Sequence, residues 1–425
     1  MSIPLDRLYY YIKDIARKVD KDTLIYRYWP HGSKNIDNLE VLEGPIVWVD
    51  MALGINITCH DQEPLNYGLR KIDDSDPWQN ILKSLNLFNF NCHNLVKYPS
   101  IYDKICLLHS EKRSKHVASY QNNQCVPVYY WSHAIISLDW FRYAIHVTQQ
   151  KQVTKTFLIY NRAWSGTREY RLYFADLLVK SGLYDYCKTT VNPIEPELGI
   201  DYKVHKFENS VWKPQTVLEN YFPASGACSN YSADFDIQDY EATDIEIVLE
   251  TLFDDDRLHL TEKSLRPIAC GQPFVLAGTY GSLEYLRSYG FKTFGDIWDE
   301  SYDSIEEPQE RLHSIINLMQ QIVDWDSATK ERKLVEAQAI AEYNKQHFFS
   351  KEFFNLVSSE LTNNLIEGLT QIKSQANFQV FFDLWKHRLT FEEIRNFLGY
   401  SIPGQNPGIY TIDRINYVLD RINRQ

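Results

Sequence analysis

The chain has 425 residues, 44% of them hydrophobic and 24% charged, enough to bury more than one core and to form two domains with an appendage. Its 44 basic and 56 acidic residues leave a net charge of −12, which argues against a general affinity for polyanions while leaving room for a local basic site. The seven cysteines form no Cys-x-x-Cys pair, the N-terminus is unlike a signal peptide, and no apolar run reaches membrane-spanning length; zinc sites, disulfide frameworks and membrane anchors are not expected, and a reducing cytoplasm is.

Residues 1–150 read as an α/β domain. The apolar runs Pro45-Ile-Val-Trp-Val49, Ile105-Cys-Leu-Leu-His109 and Val126-Pro-Val-Tyr-Tyr-Trp131 are expected strands. Helices are expected near Ser114–Asn122 and Leu138–Val147, and strands alternating with helices favour a parallel sheet. Residues 151–348 read as a second α/β unit. Its expected strands are Thr156–Tyr160, Ile245–Thr251 and Phe274–Ala277. Its expected helices are Arg168–Ser181, closed by Gly182, then Ser282–Ser288, Pro308–Val323 and Ala328–His347. Asn192–Asp239 is the least regular stretch and is expected to hold a long loop. Residues 349–425 read as a helical module with helices over Phe378–Trp385, Thr390–Leu398 and Thr411–Asn423. Their spacing is that of a helix-turn-helix unit or of a packing appendage.

Three stretches carry candidate chemistry. Ile57-Thr-Cys-His-Asp-Gln-Glu-Pro-Leu65 is polar, follows an apolar segment and closes on proline, so it is expected on a loop. Asp61 and Glu63 are its best groups for taking a proton from a hydroxyl, His60 is weaker, and a solvated acidic loop is the plainer alternative. His133 and Asp139 are a reserve pair with a structural alternative.

The second stretch, Tyr160-Asn-Arg-Ala-Trp-Ser-Gly-Thr-Arg-Glu-Tyr-Arg171, follows a strand and opens a helix, which aims its loop outward from the strand's carboxyl end. Arginine there can bind two phosphate oxygens at once; a surface turn with solvated arginines is the alternative.

The third runs from Leu260-Thr-Glu-Lys-Ser-Leu-Arg-Pro-Ile268 to the apolar Pro273-Phe-Val-Leu-Ala277 and Gly278-Thr-Tyr-Gly281. Thr261 is a good N-cap, which puts Glu262 and Lys263 in the first helical turn. Backbone N–H groups and a lysine at such a turn attract phosphate, and a carboxylate beside them accepts from sugar hydroxyls. The plain alternative is a capped helix with a Glu262–Arg266 pair at i, i+4. The acidic run Asp254-Asp-Asp256 falls where a solvated turn is expected, so no metal site is predicted. Phosphate-loop, dinucleotide, nucleophile-elbow and zinc-protease signatures do not occur.

The block Leu260–Asp303, with Thr-Glu-Lys, Arg-Pro, Gly-Gln-Pro-Phe, Gly-Ser-Leu-Glu-Tyr-Leu, Gly-Phe-Lys-Thr-Phe and Asp-Glu-Ser-Tyr-Asp in order, resembles the donor-binding segment of GT-B glycosyltransferases of the fucosyltransferase and exostosin-like kind. It is most similar to glycosyltransferase-type proteins encoded by bacteriophages, which also carry an Asp-Gln-Glu-Pro element. The resemblance implies the GT-B fold: two Rossmann-like domains facing across a cleft, here with the C-terminal helical appendage. It implies a nucleotide-diphosphate sugar as co-substrate, no other cofactor, and inverting transfer to an acceptor hydroxyl without a metal. Carried onto this chain, the Asn161-Arg162 pair and Arg168 would serve the donor, with Arg162 on its pyrophosphate. Lys263 would contact its phosphates, Glu262 its ribose or sugar hydroxyls, and Arg266 would add charge at the same junction. Glu63 or Asp61 would be the base. A phage origin would place the protein in host cytoplasm and suggests a hydroxymethylated pyrimidine in DNA as acceptor, reached by base flipping. The acidic net charge suggests instead a glycan or small-molecule acceptor. A separate alternative is a module that keeps the nucleotide-sugar pocket without the base.

Overall fold

A computed structural model describes residues 24–27, 46–49, 105–114, 126–196, 199–222 and 232–371, together with helical residues between 11 and 19. The chain divides into two compact units, one of Met1–Ser110, Ser114–Ser132 and Ser359–Gln425, the other of Glu111–Arg113 and His133–Ser358. The protein is α/β with parallel sheets in both.

In the first unit, β1 (Leu24–Arg27), β2 (Ile46–Val49), β3 (Ile105–His109) and β4 (Val126–Tyr129) pair in chain order, all parallel. Near-continuous apolar runs such as Ile46-Val-Trp-Val49 suit strands covered on both faces, as parallel strands are. The expected strands at 45–49, 105–109 and 126–131 are all present; β1 was not foreseen. Tyr129 O accepts from Asn364 Nδ2 at 2.9 Å, so residues 359–371 pack beside the end of β4. The helix expected near 114–122 and the three expected beyond 378 lie outside the described residues, as do Asp61 and Glu63.

The second unit takes in α1 (Ser132–Trp140) from His133 onward, whereas the sequence placed that stretch in the first domain. Its sheet has the order β10-β9-β5-β6, built from β5 (Lys155–Ile159), β6 (Cys187–Thr189), β9 (Thr243–Leu249) and β10 (Phe274–Ala277), again all parallel. From β5 the chain passes through α2 (Tyr170–Lys180) to β6 on one side. From β9 it passes through α4 (Glu262–Cys270) to β10 on the other. The connections therefore diverge between β5 and β9, the position where open α/β sheets bind ligands beyond the strands' carboxyl ends.

The local signals explain these helices. α2 is followed by Gly182 at φ 74°, and α4 by Gly271 at φ 71°, both left-handed stops that suit glycine. Pro267 inside α4 has no N–H for the carbonyl four residues back, which loosens the turn at Lys263. α5 (Ser282–Ser288), α6 (Pro308–Val323), α7 (Ser327–Phe348) and α8 (Lys351–Gln371) follow. No helix among the described residues is long and apolar enough to cross a membrane.

The irregular stretch after residue 192 is more than a loop. It carries the hairpin of β7 (Ile194–Glu195) and β8 (Ile200–Asp201), and the short helix α3 (Ile237–Glu241) precedes β9. Its Tyr202, Leu218 and Phe222 pack with Trp164, Leu172, Ala175 and Val191 in one buried cluster. Acids of α2 and its lead-in hold the backbone there. Glu169 accepts from Glu208 N at 3.0 Å and Asn209 N at 3.2 Å, and Asp176 from Thr216 N at 2.7 Å.

Candidate functional site

The site assembles where β5 and β9 end. Leu249 is the last residue of β9, and the next side chain, Glu250, is fully buried. Its Oε1 accepts from Thr261 N at 2.9 Å, Ser264 Oγ at 2.5 Å and Ser264 N at 3.3 Å. Its Oε2 accepts from Thr261 Oγ1 at 2.7 Å and Thr251 N at 3.0 Å. Thr261 caps α4 as its sequence position suggested, accepting from Lys263 N at 3.3 Å. Two N–H groups of the first turn, those of Lys263 and Ser264, are thereby taken by Thr261 and Glu250. Charge offered to a ligand here comes from side chains rather than from those amides.

Glu262 and Lys263 form the centre. Lys263 Nζ donates to Glu262 Oε1 at 2.6 Å, and Ser232 Oγ donates to the same oxygen at 2.5 Å. Oε2 lies 3.5 Å from His133 Nε2, and the His133 ring meets His259 edge-on with centroids 4.9 Å apart. The Glu262 side chain is only 4% exposed and that of Lys263 13%. Burial opposes the Glu262 charge, but Lys263 and then His133 outweigh it and hold the carboxyl well below the usual carboxylate range. For Lys263 burial is the largest influence and draws its ammonium below the ordinary lysine value, against the pull of Glu262 and Glu250. A Lys–Glu pair so perturbed, at the divergence point of a parallel sheet, has the character of a functional site.

The loop after β5 supplies the other wall. Asn161 N donates to Thr190 Oγ1 at 2.9 Å, and Asn161 Oδ1 accepts from Arg171 at 3.3 Å. Asn161 is 1% exposed, and its Nδ2 makes no hydrogen bond among the described residues. Arg171 also donates to the carbonyls of Ala163 at 2.6 Å, Leu249 at 2.7 Å and Glu250 at 3.0 Å. One buried guanidinium thus ties the loop after β5 to the end of β9; burial lowers its proton affinity. Glu195 holds the same loop from outside, accepting from Trp164 N at 2.7 Å and Ser165 N at 3.1 Å.

Of the expected donor residues, Glu262 and Lys263 are in direct contact on α4, and Asn161 is joined through Arg171 to the end of β9. Arg162 and Arg168 are half-buried on the loop after β5, where Arg168 Nε donates to Ser165 O at 3.1 Å. Arg266 does not pair with Glu262 at i, i+4. It turns to Glu246 on β9 at 2.5 Å, donates to Ser232 O at 2.7 Å and lies over the Tyr160 ring at 4.5 Å. Glu246, shared with Tyr240 Oη at 2.7 Å, is fully buried, so this pair sits in the interior. Through Ser232, Arg266 still acts on Glu262.

His133, first read as a reserve base, belongs to the centre; Glu250, Arg171 and His259 were not singled out at all. Arg171 is the last residue of the 160–171 stretch and Glu250 the last but one of the strand expected at Ile245–Thr251, and those positions were the available signals. The acidic run is tied down internally: Asp254 accepts from Trp212 Nε1 at 2.6 Å, and Asp255 pairs with Arg257 at 2.6 Å. Among the described residues no three His, Cys, Asp or Glu side chains gather for a metal ion. No protein-family model, curated protein or solved structure matches the chain at a significant level.

Proposed function

We propose that the protein is a nucleotide-sugar-dependent glycosyltransferase of the GT-B plan, with its donor site at the carboxyl ends of β5 and β9. The observation that carries the reading is the buried Glu262–Lys263 pair at the point where the sheet connections diverge. A lysine ammonium there suits a diphosphate, and the neighbouring carboxylate suits the hydroxyls of a ribose or sugar. Asn161 Nδ2, a buried donor without a partner among the described residues, suits an acceptor oxygen of the same ligand. Arg162 and Arg168 stand on the adjoining loop for the pyrophosphate. The acceptor domain supplies the base, Glu63 or Asp61, in an inverting transfer that requires no metal. The acceptor is a hydroxymethylated pyrimidine in DNA; transfer to a glycan or small molecule is the competing outcome.

A thermal-shift screen of uridine, guanosine, cytidine and thymidine diphosphate sugars tests the donor. At about 100 times Kd a ligand stabilises by about 2.7 kcal/mol. At least one should raise the melting temperature, and the raising compound is then tried for transfer to hydroxymethylated and ordinary duplex DNA over a salt series. Stabilisation without transfer to DNA or glycan would identify a binding module instead of an enzyme.

A further inference from the structure

One carboxylate, Glu262, is shared by two basic groups: Lys263 at 2.6 Å on Oε1 and His133 at 3.5 Å on Oε2. All three side chains are at most 13% exposed, so their charges are poorly screened and must nearly balance. While Lys263 carries its proton, the pair Glu262–Lys263 is already balanced. The surroundings change little of this. The Glu250 charge is attracted by Arg171, whose guanidinium also bonds the Glu250 main-chain carbonyl. Among the described residues the His259 ring also lies against His133, and on the same helix as His133 Asp139 is paired with Arg142.

A diphosphate at Lys263 breaks the balance. It claims the ammonium that had neutralised Glu262 and brings further negative charge into the same poorly screened space. Both effects strengthen the hold of Glu262 Oε2 on a proton at His133 Nε2. We propose that nucleotide-diphosphate binding at Lys263 is coupled to proton uptake by His133, which supplies the site's second positive charge. The inference rests on the donor reading above and adds to it a proton-linked response. The proton comes from solvent, sits on His133 Nε2 facing Glu262, and returns to solvent when the diphosphate leaves; no covalent bond changes. By linkage, lower pH must tighten diphosphate binding as strongly as the diphosphate raises the proton affinity of His133. His133 acts through Glu262 and is a positioning residue for the charge of the site.

The test is calorimetric titration of UDP and GDP into the full chain near neutral pH, in two buffers of different ionisation enthalpy. The expected result is a difference in apparent heat corresponding to net uptake of up to about one proton, lost in His133→Gln and kept in His259→Gln. Imidazole nitrogen NMR of the wild-type protein gives the same answer without a variant: one histidine should move to the doubly protonated form on addition of the nucleotide. Binding with equal heats in both buffers, or uptake that persists in His133→Gln, overturns the proton coupling while leaving the donor site standing. No binding of either diphosphate overturns both.

Discussion

Arg171 donates to the Asn161 side-chain oxygen at 3.3 Å and so decides which way that amide faces. With Oδ1 occupied, Nδ2 is the atom left without a partner among the described residues. Because the same guanidinium bonds the Ala163, Leu249 and Glu250 carbonyls, it also sets the distance between the loop after β5 and the end of β9. Arg171→Leu strips buried carbonyls of their donors and is expected to lower the unfolding free energy in urea by about 2–4 kcal/mol. Arg171→Lys should recover less than half, since an ammonium cannot span these acceptors in one plane. Equal stability of Arg171→Leu and wild type would show that the guanidinium does not hold the loops.

Glu250 accepts from five donors, among them Thr261 N and Ser264 N. Glu250→Gln keeps its shape but turns an N–H₂ group toward other donors. A loss of about 1–3 kcal/mol is expected, read as a lower urea midpoint with an unchanged slope. Retention of the wild-type midpoint would mean that the amide satisfies the α4 terminus as well as the carboxylate does.

Glu262 makes stability depend on acid. Its folded-state proton affinity is depressed below the ordinary value near 4.5, despite the opposing effect of burial, by Lys263 and His133. Between the folded and unfolded values the unfolded chain binds more protons, so stability falls as the pH falls through about 4.5 and continues to fall below it. Glu262→Gln lacks this dependence. The stability gap between wild type and Glu262→Gln, measured by urea unfolding over an acid series, should shrink toward low pH. Parallel curves would contradict the assignment of the carboxylate as charged.

Gly278 ends the run after β10 in a tight place: a Cβ there would lie 2.8 Å from Ser282 Oγ, which donates to Thr279 O at 2.5 Å. Gly278→Ala is expected to cost about 1–3 kcal/mol. Gly278→Ala combined with Ser282→Ala should regain part of that loss, a coupling that a double-mutant cycle reads directly. Strict additivity would place the strain elsewhere.

Much of the fold could be read along the chain because its signals are local. Phe157-Leu-Ile159 and Phe274-Val-Leu-Ala277 are apolar on both faces, as buried parallel strands must be, and Gly182 and Gly271 mark helix ends. α8 was missed although Phe353, Val357, Leu361, Leu365 and Leu369 repeat every four residues and are all buried. That spacing drifts round a helix rather than tracing the usual mixed threes and fours, and weaker patterns further along drew the helices beyond residue 378 instead. In the site, the Thr261 cap and the Glu262–Lys263 adjacency were legible because they lie within one helical turn. The partner of Arg266 was not: Glu246 is 20 positions away and reaches it only through the pairing of β9 with its neighbours. His133 meets Glu262 across a still longer separation, which no periodicity records.

The central claim is that Lys263 holds a nucleoside diphosphate. Calorimetric titration of UDP and GDP into wild type and Lys263→Ala, each first shown to be folded by circular dichroism, tests it most directly. Saturable binding of at least one diphosphate to wild type is expected, with a loss of about 1.5–3 kcal/mol in the variant, roughly a tenfold to hundredfold weaker affinity. Binding of equal strength to both proteins, or no binding to wild type, would contradict it.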